Sequence, residues 1–192
     1  MKLVTIRTEL LSLYEQDKEV LKKSGRPYVV VLRLKYKEQN YDFAVPIRSN
    51  IPAAAPKDQY FALPPRPTTR PRNRHGLHYI KMFPITKEYQ VRYRTEGNEF
   101  AALVQNIVDK NTKQIVTECQ QYLDRYAAGE RPQFSTDIDF LLSVLYPANG
   151  KSPNAEAVKA IREIEQMKAN PTLGKTYTDV DEMMRELSRN PR

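Results

Sequence analysis

The chain has 192 residues, 40% hydrophobic and 28% charged, which suits one medium domain or a domain carrying an appendage. It contains no run of about 18 apolar residues, so no membrane-spanning helix is expected, and its first residues lack the apolar stretch of a secretory signal. Cys119 is the single cysteine, which excludes an intramolecular disulfide and a cysteine-rich metal site and points to a reducing cytoplasm.

Residues 2–7 predict a short strand. Residues 8–23 predict a helix with Leu10, Leu11, Leu13, Tyr14, Val20 and Leu21 as its apolar positions, broken by Ser24-Gly25-Arg26-Pro27. Residues 28–36 are β-branched and aromatic, a strand pattern. Glu38-Gln39-Asn40 is expected to turn the chain into a second strand over residues 41–47, making a hairpin. A long proline-rich, basic loop is expected over residues 50–75, and loops of that length are usually functional. Residues 77–85 and 88–94 predict two further strands.

Beyond Gly97 the apolar spacing changes to a helical period. Phe100, Leu103, Val104, Ile107, Val108, Ile115, Val116, Cys119, Tyr122, Leu123 and Tyr126 mark one stripe of a long helix, kinked near Asn111 and ended by Gly129. Ser135-Thr136-Asp137-Ile138-Asp139 supplies a cap and first-turn acids for a short helix to Tyr146. Residues 148–154 read as a linker, and residues 155–192 as two small amphipathic helices too short to fold unaided. The expected organisation is a body over residues 1–147, that linker and a helical tail. The fold class is α+β, with a twisted antiparallel sheet.

Formal net charge is +8, and it is concentrated. Residues 47–94 hold ten Lys and Arg against only Asp58 and Glu88, whereas residues 151–192 hold eight against seven acids. Such concentration suits a polyanion, because each neutralised phosphate releases condensed counterions. Arg66, Arg70, Arg72, Arg74, Lys81 and Arg92, with His75 and His78 interleaved, and Tyr28 outside this stretch, are the expected RNA-binding residues; aromatic rings can stack unpaired bases, though some will simply be core. A merely solubilising surface is the alternative.

The sequence carries no metal signature, no G-x-S-x-G elbow and no phosphate-cradling glycine loop, so no cofactor is expected. RNA cleavage needs none of these. The 2′-hydroxyl is RNA's own nucleophile, and a protein need only align it, stabilise the phosphorane and assist proton transfer. Arg26, preceding one strand, and Arg48-Ser49, ending its hairpin partner, are a candidate catalytic constellation; a hairpin carrying unrelated surface arginines is the alternative.

Several strings resemble the ToxN/AbiQ endoribonuclease toxins of type III toxin–antitoxin and phage-defence systems. They are Lys2-Leu3-Val4-Thr5-Ile6, Arg26-Pro27-Tyr28-Val29-Val30-Val31-Leu32, Tyr41-Asp42-Phe43-Ala44-Val45-Pro46-Ile47-Arg48-Ser49 and Met82-Phe83-Pro84-Ile85. The likeness covers about residues 1–147 and implies a sheet distantly like the Kid/MazF barrel. It places the family's Ser/Thr-Ser pair on Arg48-Ser49, its active-site lysine on Arg26 and its helix tyrosine on Leu10. On that basis Ser49 positions the nucleotide and moves a proton, Arg26 and Arg48 stabilise phosphate, and His75 or His78 is a further acid–base candidate. Family members are inhibited by a small RNA of tandem repeats, which implies both an RNA substrate and an RNA antitoxin. The tail resembles the toxin-wrapping segment of RelB/DinJ antitoxins, implying self-association or a protein partner. A non-catalytic RNA- or toxin-binding module is the alternative function.

Overall fold

The computed structural model describes residues 1–21 and 28–147. The chain divides into two units, Met1–Pro153 and Asn154–Arg192. Arg26, the expected linker and the expected antitoxin-like tail therefore lie outside the described residues.

In chain order the body runs β1 (Leu3–Ile6), α1 (Thr8–Leu13), β2 (Tyr28–Tyr36), β3 (Gln39–Ile51), β4 (Tyr60–Leu63) and β5 (Arg74–His78). It continues through β6 (Phe83–Pro84), β7 (Gln90–Arg92), α2 (Glu99–Lys110), α3 (Thr112–Ala127) and α4 (Ile138–Leu145). The strands form one antiparallel sheet in the order β4-β5-β3-β2-β1-β7, with β6 also pairing β3. This is the expected α+β class.

Strand alternation splits the core in two. Leu3, Phe43, Val45 and Met82 belong to one cluster, with Val104, Val108, Ile115, Leu123 and Tyr126 of α2 and α3. Their immediate neighbours Val4, Ala44 and Phe83 belong to a second cluster, with Leu10 and Leu11 of α1 and Leu141 and Leu145 of α4. Successive side chains on a strand point to opposite faces, so the sheet is covered by helices on both sides.

The β2–β3 hairpin turns one residue earlier than expected, at Lys37-Glu38, with φ of 45° and 67°. Two consecutive left-handed residues match the twist of the flanking strands. The β3 strand is also longer than expected, running on through Arg48 and Ser49 to Ile51.

Three other sequence expectations are corrected. The helix expected over residues 8–23 ends at Leu13. The Asp17 carboxylate, only 8% exposed, accepts the Glu19 N–H and the Asp137 N–H, both at 2.8 Å. An aspartate bonding nearby backbone in this way competes with helix propagation. The proline-rich loop contains a strand, β4, paired along its length with β5. The strand expected over residues 77–85 is interrupted by a 3-10 turn at Tyr79–Lys81, because β5 and β6 both pair with the same edge of β3. Ile47 faces Leu77 and Ala44 faces Phe83, so three steps on β3 correspond to six on its partner. The excess residues loop out.

The long helix breaks at Asn111, where the kink was expected, with Asn111 Nδ2 donating to the Ile107 carbonyl at 2.8 Å. The Asp137 carboxylate caps α4, accepting the Phe140 N–H at 3.1 Å.

Candidate RNA-binding cleft

Two irregularities in one region of the sheet shape the site. The first is a bulge in β3. Arg48 pairs with Gly76 and Ile51 with Arg74, so β3 carries one residue more than β5 across this interval. Bulges of this kind re-aim side chains. Gly76 is required opposite Arg48 because a Cβ there would lie 2.2 Å from the Phe61 carbonyl oxygen on β4. The second irregularity is the looped-out Tyr79–Lys81 turn, which begins one residue after His78.

Together they line a cleft of about 710 Å³ whose walls include Arg48, His78, Lys81, Glu19, Gln59 and Phe134. Arg48 is half-buried, and its Nη1 lies 3.4 Å from His78 Nδ1. A guanidinium can only donate, so Nδ1 accepts and the ring proton of neutral His78 sits on Nε2. Burial, then the charges of Arg48 and Lys81, push the His78 imidazole down to about 3. At neutral pH it is an uncharged hinge for the guanidinium.

Lys81 is 4% exposed. Its Nζ donates to the Glu19 carboxylate and, at 2.5 Å, to the Phe134 carbonyl. A buried ammonium without such partners would be strongly disfavoured. The bonds that bend the chain at Asp17 also bring Glu19 to Lys81. Nothing in the local sequence signals that pairing, which spans 62 positions.

The remaining expected site residues fall in several places. Ser49 is half-buried and does not line the cleft, although Arg48 beside it does. Tyr28 is a core residue, 1% exposed, its hydroxyl donating to the Leu21 carbonyl at 2.6 Å and its ring edge-on to Phe83. His75 is also buried: its Nδ1 lies 2.6 Å from the Pro64 carbonyl and its ring packs near Phe100. Burial lowers its imidazole below the usual value, against the opposing pull of that carbonyl. Arg66 sits over the Phe100 ring at 5.2 Å. Arg70, Arg72 and Arg74 are exposed in and beside the β4–β5 connection. Arg92 is exposed on β7, beside Met1 and Lys2 and away from the cleft.

No family model matches the chain, and no curated protein does. Solved structures do share its architecture. One, from work on a bacterial antiviral system regulated by a processed non-coding RNA, is 15% identical with a TM-score of 0.56, covering 73% of this chain and 94% of that one. A second, from a type III toxin–antitoxin system whose toxin is selectively inhibited by a non-coding RNA pseudoknot, is 20% identical with a TM-score of 0.55. It covers 73% of this chain and 92% of its own. The chain has the ToxN/AbiQ fold. A third structure with this fold is AbiQ, a lactococcal anti-phage endoribonuclease of a type III system. It is 14% identical with a TM-score of 0.50, covering 84% of this chain and 98% of its own. The likeness to the ToxN/AbiQ fold takes in nearly the whole of each of those chains.

Proposed function

We propose that this protein is a metal-independent endoribonuclease of the toxin class, held inactive by a small repeat RNA. The observation that carries the reading is the cleft itself: Arg48, His78 and Lys81, drawn together by a bulge and a looped-out turn in a ToxN/AbiQ fold. Arg70 and Arg72 in the β4–β5 connection and Arg74 at the start of β5 are exposed and supply further positive charge of the kind RNA binding uses.

The reaction needs no external nucleophile. The substrate's 2′-oxygen attacks the adjacent phosphorus, the bond to the 5′-oxygen breaks, and a 2′,3′-cyclic phosphate and a 5′-hydroxyl result. The 2′-hydroxyl proton passes to the Glu19 carboxylate, and solvent water supplies the proton taken by the departing 5′-oxygen, its hydroxide being neutralised by the proton on Glu19. Arg48, fixed by His78, stabilises charge on the phosphorane, where a preorganised donor in a partly dehydrated site acts most strongly. Lys81 adds a second cation, and the Glu19 carboxylate beside it is a proton acceptor within the same cleft. Ser49, the next residue of β3 but outside the cleft's lining, contacts the nucleotide chain beyond the cleft, and Arg26 supplies a further phosphate contact.

The test is incubation of the protein with single-stranded RNA in EDTA, with products resolved by end-group analysis. Cleavage to cyclic phosphate ends is expected to persist, and Arg48→Ala is expected to lower kcat by about 10²–10³-fold. Loss of all cleavage in EDTA sinks the metal-free mechanism, and equal rates for wild type, Arg48→Ala and Ser49→Ala sink the assigned site. The place of Ser49 outside the cleft favours a second reading, in which the same surface binds RNA without cutting it. Retained RNA binding with no cleavage under any metal condition selects that reading.

A further inference from the structure

Phe134 stands apart from every other aromatic residue of the body. It is 62% exposed, more than any other large hydrophobic side chain among the described residues. Its backbone is left-handed, with φ of 64°, a region bulky side chains seldom adopt. Neither feature reflects a loose segment. The Ser135 N–H donates to the Pro132 carbonyl at 3.1 Å, and the Thr136 N–H donates to the Ile80 carbonyl at 2.9 Å. The fully buried Thr136 hydroxyl donates to the Met82 carbonyl at 2.5 Å. The Phe134 carbonyl itself accepts from Lys81 Nζ at 2.5 Å. A pinned, unfavourable backbone that holds an apolar ring in solvent is a pattern found at functional sites.

Phe134 lines the same cleft as Arg48, His78 and Lys81, and much of the remaining wall is apolar, from Pro52, Ala54, Pro56, Ile80 and Pro132, with Gln59 and Gln133 as uncharged polar members. A nucleotide has this same division: an anionic phosphate and a flat apolar base face. We infer that Phe134 is the stacking platform for an RNA base next to the phosphate bound at Arg48. This deepens the proposed function and rests on it. The ring holds the unstacked base, and the Phe134 carbonyl, through Lys81, ties that platform to the cationic wall. Stacking on an aromatic ring is tolerant of base identity, so the platform contributes binding more than sequence preference.

Two variants of the full chain test this. The sequence contains no tryptophan, so Phe134→Trp reports from this one position. Titration with a fully 2′-O-methylated single-stranded RNA, which cannot be cleaved, is expected to quench its emission. Phe134→Gly, which suits the left-handed backbone, is expected to keep or raise Tm while weakening binding of that RNA by ~10–100-fold. In cleavage assays it should raise KM more than it lowers kcat. A weakened fold would lower Tm as well, so opposite signs in stability and binding separate stacking from a structural role. Unchanged emission at saturating RNA, or Phe134→Gly binding as tightly as wild type, overturns the inference and leaves the nuclease reading standing. Failure of the wild-type protein to bind or cut any RNA overturns both.

Discussion

His78 illustrates how a residue's chemistry depends on its surroundings more than on its type. In solution an imidazole titrates near neutrality, but here burial first, and the two neighbouring cations second, hold its proton affinity down to about 3. The unfolded chain therefore binds a proton below about 6.5 that the folded chain refuses. The stabilisation is fully present above pH 6.5 and is lost as pH falls towards 3. Acidification from pH 7 is expected to lower stability by up to ~1.4 kcal/mol per pH unit for this group. The loss should be smaller in His78→Gln, measured by denaturant unfolding across the range. A pH-independent wild-type curve would remove the assigned cause. His75, also buried and lowered, adds in the same direction and remains in the variant.

At the scale of elements, the site depends on places where regular pairing fails. The β4–β5 hairpin approaches β3 closely only because residue 76 has no side chain. Gly76→Ala would drive a Cβ into the Phe61 carbonyl, which is backbone and has little room to yield. A loss of roughly 2–4 kcal/mol in chemical denaturation is expected, together with disturbance of Arg48 directly across the ladder. A cost under about 0.5 kcal/mol would show the two strands to be freer than this packing implies. Asp17 acts similarly at longer range. Its carboxylate ties the segment after the first helix to the start of α4, and so presents Glu19 to Lys81.

For the whole molecule, electrostatics governs RNA affinity. Exposed arginines in and beside the β4–β5 connection are expected to make binding fall steeply with salt, by a slope of about 0.7 per phosphate contacted on a single strand. Replacing Arg70, Arg72 and Arg74 together by Gln should reduce that slope by about 2 if all three meet phosphate. An unchanged slope in filter binding would place the RNA elsewhere. The proposal that residues 155–192 restrain the body makes a separate prediction: a chain ending at Gly150 should inhibit growth more strongly than the full chain. Equal inhibition would mean the tail does not restrain the body.

Hydrophobic periodicity and turn chemistry are local, and they carried the expectations that the sequence alone supports. The α+β class, the β2–β3 hairpin, the break at Asn111 and the Asp137 cap are all written in short strings, because each rests on contacts within a few residues. The concentration of charge between residues 47 and 94, and the position of Arg48 in it, were equally legible. What only the tertiary structure decided is the company these residues keep. The Pro-rich segment contains a strand because β5 was there to pair with it, and Tyr79–Lys81 loops out because two strands share one edge of β3. His75, in the basic stretch, and Tyr28, two residues after Arg26, look like surface residues and are core, since burial depends on which face of the sheet the helices cover. The Arg48–His78 contact, the Lys81–Glu19 pair and the exposed ring of Phe134 join distant parts of the chain at one cleft. No local pattern encodes such meetings, because they arise only when the sheet, its bulge and the covering loops are packed together.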